Sequence, residues 1–420
     1  MLTGRERKSS TRSRCVKGLL GGLAGLGLAF AASAHAAPQP IRIGVLGPAS
    51  HIDGKSIFDG AKLAAKQINA AGGIMGRPIK LYTYDDEESA TNAVRAFQRA
   101  VQQDHVKIMI GVFSSEVALS VEPWAARLKT PFIITGAAST KITHLIHQHY
   151  RRNKYIFQEW INSYFQGRSV CDFSKDELVG KLGYKTAAVV SENAAWTKPL
   201  DASYLACLPK VGLKVLSHMR FSSDTNDFTP IFNKLESEHP NVMITGWAHV
   251  GLKATVQWQQ EQVPILMAGF NDQAQASSFW AKSNGAAEGV ITQSAGAPGA
   301  AVTPKSIPFN HAYQAAYDTT PAYDAYTSYD SLFVIKNAIG RAKSTRPNAL
   351  VSAIEKTDMT GTIGHIQFYG KNSPYTHGLK YGSGHVQLVA IQWQHGKQVA
   401  IWPQRVATGS LEVPAFVKKH

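Results

Sequence analysis

Residues 41–86 read IRIGVLGPASHIDGKSIFDGAKLAAKQINAAGGIMGRPIKLYTYDD, and two periodicities alternate within them. Ile41-Arg42-Ile43-Gly44-Val45-Leu46 is a short apolar run with strand character. From Ser56 to Ala71, Ile57, Ala61, Leu63, Ala64 and Ile68 recur at helical spacing, and Gly72-Gly73 supplies a stop. Ile79-Lys80-Leu81-Tyr82-Thr83-Tyr84 predicts the next strand. The alternation continues with a helix over Ala90 to Asp104, a strand over Val106–Gly111, a helix over Val117–Leu128 and a strand over Phe132–Thr135. Short strands alternating with helices of this length predict βαβ units in a parallel sheet.

The pattern then repeats. Strands are expected at Thr186–Ser191, Lys214–Met219, Val242–Thr245 and Ile265–Ala268, separated by helical stretches, so a second α/β sheet occupies roughly Gly167 to Gly289. Three further helices and two antiparallel-looking strands, His385–Trp393 and Gln398–Trp402, close the chain. Ligands of open α/β sheets bind beyond the carboxyl ends of the strands, so two such lobes define a cleft.

The composition of the 420 residues bounds the function. Hydrophobic residues are 44% and charged residues 17%, which excludes a disordered, charge-rich chain. Three cysteines leave no room for a four-cysteine metal site. The net charge of +15 suggests nucleic acid at first sight, but +5 of it lies in residues 1–36. The rest is scattered, with no Lys/Arg block longer than Arg151-Arg152 or Lys418-Lys419, so no nucleic-acid partner is expected.

Residues 1–36 read as a cleaved export signal. A basic segment ends at Lys17, an uncharged stretch follows, and Ala34-His35-Ala36 gives the small-x-small cleavage pattern before Ala37. The rival reading, a membrane anchor, wants about 20 strongly apolar residues. Five glycines between Gly18 and Gly27 dilute this stretch. A bacterial periplasm is the expected compartment. It permits a disulfide between the two remaining cysteines, Cys171 and Cys207, but spacing alone leaves bridge and free thiols both open.

Enzyme signatures are missing: there is no G-x-S-x-G, no G-x-G-x-x-G after a strand, no Walker loop and no H-E-x-x-H. No catalytic residue, metal or cofactor is assigned. His144, His147 and His149 could hold a transition metal, but they run into Arg151-Arg152, which disfavours a dication, and a polar surface segment is the simpler reading. Better signals lie at strand ends, in Phe113-Ser114-Ser115 and in Gly136-Ala137-Ala138-Ser139-Thr140. Hydroxyls and first-turn amides there can bind an anion; alternatively Ser115 and Ser139 only cap their helices.

The N-terminal segment quoted above, with Asp59-Gly60-Ala61-Lys62-Leu63-Ala64 and Tyr84-Asp85-Asp86, resembles the start of periplasmic leucine/isoleucine/valine-type binding proteins, the solute receptors of ABC importers. Thr360-Gly361-Thr362-Ile363-Gly364-His365-Ile366-Gln367-Phe368 is similar to that family's hinge segment. The resemblance implies an α/β fold of two doubly wound lobes joined by three strands, a type I periplasmic binding protein. Residues 37–157 and 292–362 would form lobe 1, and 158–291 with 363–403 lobe 2. A tail would run over 404–420, and the crossings would fall near Phe157, Ile291 and Ile363.

It also implies roles. Ser115 and Ser139 would hold a ligand carboxylate and Ala137 would supply a backbone contact. Trp196 stands where the family often has Tyr, and Trp247 would form a second ligand wall. Phe270 or Asn271 falls where leucine binders carry a glutamate for the ligand ammonium, unless Asp272 supplies that charge. The expected partners are a small amino-acid-like or aromatic carboxylate and an inner-membrane permease, with the protein a monomer. A ligand-sensing receptor is the alternative; an enzyme is the least supported class.

Overall fold

The computed structural model describes residues 38–51 and 54–417; the proposed export signal lies outside them. Strands β1 (Ile41–Gly47), β2 (Ile79–Asp85), β3 (Ile108–Gly111), β4 (Phe132–Ile134) and β5 (Ile156–Gln158) form a fully parallel sheet in the order β2-β1-β3-β4-β5. Strands β6 (Thr186–Glu192), β7 (Lys214–Phe221), β8 (Val242–Trp247) and β9 (Leu266–Asn271) form a second parallel sheet in the order β7-β6-β8-β9. Strands β3, β4, β8 and β9 are buried along their whole length, and β1 and β6 at all but one residue each, as helices on both faces require.

Helix α1 (Gly54–Ala70) ends at the expected glycines. Gly72 and Gly73 have φ of 90° and 74°, and Gly73 N–H returns to Ile68 O at 2.9 Å. α1 packs against the long helix Tyr323–Ala342 so closely that a Cβ on Gly60 would lie 2.3 Å from Ala325 O. Helix α2 (Ala90–Gln102) covers the same sheet.

Strands β10 (Ile291–Ser294), β13 (Val389–Gln394) and β14 (Lys397–Trp402) make an antiparallel sheet, and β11 (Met359–Thr360) with β12 (His365–Ile366) a short hairpin. The stretch after Trp402 packs down: the Phe416 ring lies 4.8 Å from that of Trp258, and Val417 is buried. Cys171 and Cys207 are bridged, joining helices Ser163–Phe173 and Thr197–Cys207.

Candidate functional site

Two strand-to-helix turns of the first sheet meet two of the second. β3 runs into helix α3 (Ser115–Arg127), and β4 runs by Gly136-Ala137-Ala138 into helix α4 (Thr140–Gln148). The α3 cap is Ser114, whose Oγ accepts from Val117 N–H, and not Ser115 as the sequence suggested. Ser114 has the extended backbone a cap needs, and Ser115 is already helical. The buried Ser115 Oγ instead accepts from the amides of Ala138 (3.2 Å) and Ser139 (3.0 Å), tying the two turns together.

Ser139 does cap its helix, accepting from Lys141 N–H, and its hydroxyl also donates to Ala195 O across the cleft at 3.2 Å. Ala137 is buried, its carbonyl taken by Gln158 Nε2.

From the second lobe, Trp196 is buried and its ring faces the cleft, backed edge-on by Phe270. Trp247 corrects the expectation. Its ring packs between Phe221 and Phe228 in the core of the second sheet and is not on the cavity wall. Asn271 is likewise spent locally: Oδ1 accepts from Ala274 N–H, and Nδ2 reaches Thr255 Oγ1 and Gly251 O. Asp272, one residue on, lines the cavity.

That cavity, about 10 Å³ or room for one water, is closed by both lobes. Ser115, Phe113, Trp160 and Tyr323 form one wall and Trp196, His249 and Asp272 the other. The Trp160 and Tyr323 rings lie 4.5 Å apart, tilted by 33°, and Tyr323 OH donates to Gly136 O. Among the described residues the buried Trp196 Nε1 has no acceptor and the buried Gln166 Oε1 no donor. Unmet polar groups of this kind cost about 1–3 kcal/mol each.

The charges are set by burial. Desolvation, with the nearby Glu192 carboxylate, pushes Asp272 up to about 8, so it is neutral at pH 7. Burial would depress His249, but its bond to Glu192 at 2.7 Å, with Glu88 and Glu116 nearby, lifts it to about 9. His249 Nε2 also lies 3.8 Å from Glu88, reaching from one lobe to the other. A third crossing joins Ala195 N–H to Glu116 Oε1 at 2.6 Å.

Sequence reasoning missed Trp160, Tyr323 and Gln166. None stands at the end of a long periodic strand, so period alone does not single them out. His144, His147 and His149 stay apart in role. His144 stacks on Tyr375 at 5.7 Å, His147 Nδ1 approaches Lys371 O, and His149 ends α4.

Two parallel sheets closing on a polar and aromatic cavity is a receptor's architecture, and residues 40–381 match the model of the family described as periplasmic binding protein. The chain belongs to that family. Among relatives, this binding protein is 24% identical over 404 residues to Leu/Ile/Val-binding protein homolog 7 of Brucella suis, covering 92% of this chain and 97% of that one. It superposes on the isoleucine complex of LivJ from Streptococcus pneumoniae with TM-score 0.74, 21% identity and coverage of 86% and 97%. A solute-binding protein from R. palustris in complex with benzoate gives TM-score 0.71, 18% identity and coverage of 87% and 99%. The binding protein therefore has the type I periplasmic binding fold, two lobes around a cleft.

Proposed function

We propose that this binding protein captures a small carboxylate in its interlobe cavity, favouring aromatic acids over leucine, and delivers it to the permease of an ABC importer. The observation that carries the reading is the unmet Trp196 Nε1 donor, in a cavity walled by Trp160, Tyr323 and Phe113 and by the Ser115 hydroxyl. An indole N–H wants an acceptor such as a carboxylate oxygen, and the rings suit a flat apolar group. Relatives on this fold are described with isoleucine and with benzoate, so both ligand classes fit such a cleft. A neutral Asp272 weighs against a free ammonium there.

Ser115, Ser139, Ala137 and Trp196 are the proposed contacts, with Phe270 behind Trp196. The lobes divide as 37–157 with 292–362 and 158–291 with 363–403, hinged near Phe157, Ile291 and Ile363. They must part to admit any organic acid, because the closed cavity holds no more than a water. The protein works as an exported monomer, cleaved after Ala36.

The test is a titration panel of benzoate, phenylacetate and leucine followed by tryptophan fluorescence. Aromatic acids should bind with a spectral change and outcompete leucine. Tight leucine binding with no response to aromatic acids overturns the reading.

A further inference from the structure

Outside the wall made by Glu116, Ser139 and Ala195 lies a second, larger space of about 780 Å³, lined from both lobes. The first lobe contributes the start of α4, with Ser139 and Lys141, and the second contributes Lys198 and Arg220. Its charges are unequally spent. Arg220 is committed to Asp201, Asn193 and the Glu192 carbonyl. Lys141 and Lys198 are exposed, and neither is ion-paired among the described residues. The lining's carboxylate, Glu116, is engaged by Ala195 N–H. The buried Glu122, which feels the Lys141 charge, is pushed up to about 8 by desolvation and so is uncharged at neutral pH.

The partition from the inner cavity is thin. Ser115 lines the inner space and Ser139 the outer one, and they are joined through Ser139 N–H to Ser115 Oγ. A carboxylate seated at these hydroxyls therefore stands at the threshold of a groove with two uncommitted ammonium groups.

We infer that the outer groove is a subsite for a second anionic group, and that the ligand is an apolar or aromatic acid carrying an additional carboxylate beyond the first. This rests on the reading of the inner cavity as a carboxylate site. The ring occupies the inner cavity, the first carboxylate the Ser115–Ser139 turn, and the second lies between Lys141 and Lys198. Opening of the lobes breaks the Glu116–Ala195 contact and lets one molecule span both spaces.

The test compares phenylacetate with phenylsuccinate, which adds one carboxylate arm, by calorimetry on the wild-type protein and on Lys141→Gln/Lys198→Gln. Two exposed charge contacts are expected to make phenylsuccinate roughly fivefold tighter at low salt, an advantage that shrinks as salt is raised. In the double variant the ratio of the two affinities should fall to about one. The ratio is taken within each protein, so a change in folded fraction cancels. Equal affinities in the wild type, or a ratio that survives both the substitutions and high salt, overturn the subsite alone. If neither acid binds, the inner-cavity reading fails, and the subsite with it.

Discussion

At Asp272 burial acts on a single carboxyl that lines the cavity. Burial and the Glu192 charge hold it near pKa 8, against 3.8 in water, so the folded state keeps a proton that the unfolded chain gives up. Its contribution to stability is complete below about pH 4 and is lost as pH rises to about 8. His249, lifted from 6.5 to about 9, adds a loss between those two values. Thermal melts of the wild type should therefore decline from pH 4 to pH 9. Asp272→Asn, which cannot ionise, should flatten the decline between pH 4 and 8 and raise the melting temperature at pH 8. A variant profile parallel to the wild type refutes the buried neutral acid. The serines stood out because hydroxyls at strand-to-helix turns either bind an anion or cap a helix, and the structure shows Ser139 capping α4 and Ser115 tying the two turns together. The choice between tryptophans was not legible. Trp247 closes β8, a strand buried on both faces, so alternation gives no clue to which side its ring takes.

Among the elements, helices Ser163–Phe173 and Thr197–Cys207 are pressed together: a Cβ on Gly167 would come within 2.5 Å of Ser203, and the Cys171–Cys207 bridge pins the pair. The bridge closes a sequence separation of 36, which in the chain-entropy account contributes about 3–4 kcal/mol. Cys171→Ser/Cys207→Ser should lose about that much in guanidinium unfolding, and reduction of the wild type should reproduce it. Equal midpoints for oxidised and reduced protein exclude a structural role. The long strands and helices of both sheets were readable from period alone. Helix α4 was not: its run Thr140–Gln148 is short, and its histidines drew attention to metal chemistry instead of to its packing face of Ile142 and Ile146. Pairing of the cysteines needed the helices' contact, which spacing does not contain.

For the whole molecule, the lobes meet across the cleft through Glu116 to Ala195 N–H, Ser139 to Ala195 O, and Glu88 to His249. Removing one exposed charged acceptor costs about 1–1.5 kcal/mol, or roughly five- to tenfold in the ratio of closed to open forms. Because this closed form has no room for an organic acid, Glu116→Ala should favour the open form, tightening aromatic acids and leucine alike by up to that factor and enlarging the radius of gyration measured by X-ray scattering. A loss confined to one ligand would mean that Glu116 touches that ligand and does not hold the lobes. Ala195 enters two of these contacts through its main chain alone. Any side chain at position 195 keeps the amide and the carbonyl, and proline is the one substitution that deletes the donor. The fastening is thus carried by the path of the backbone, and relatives could exchange this residue freely while retaining the same clasp.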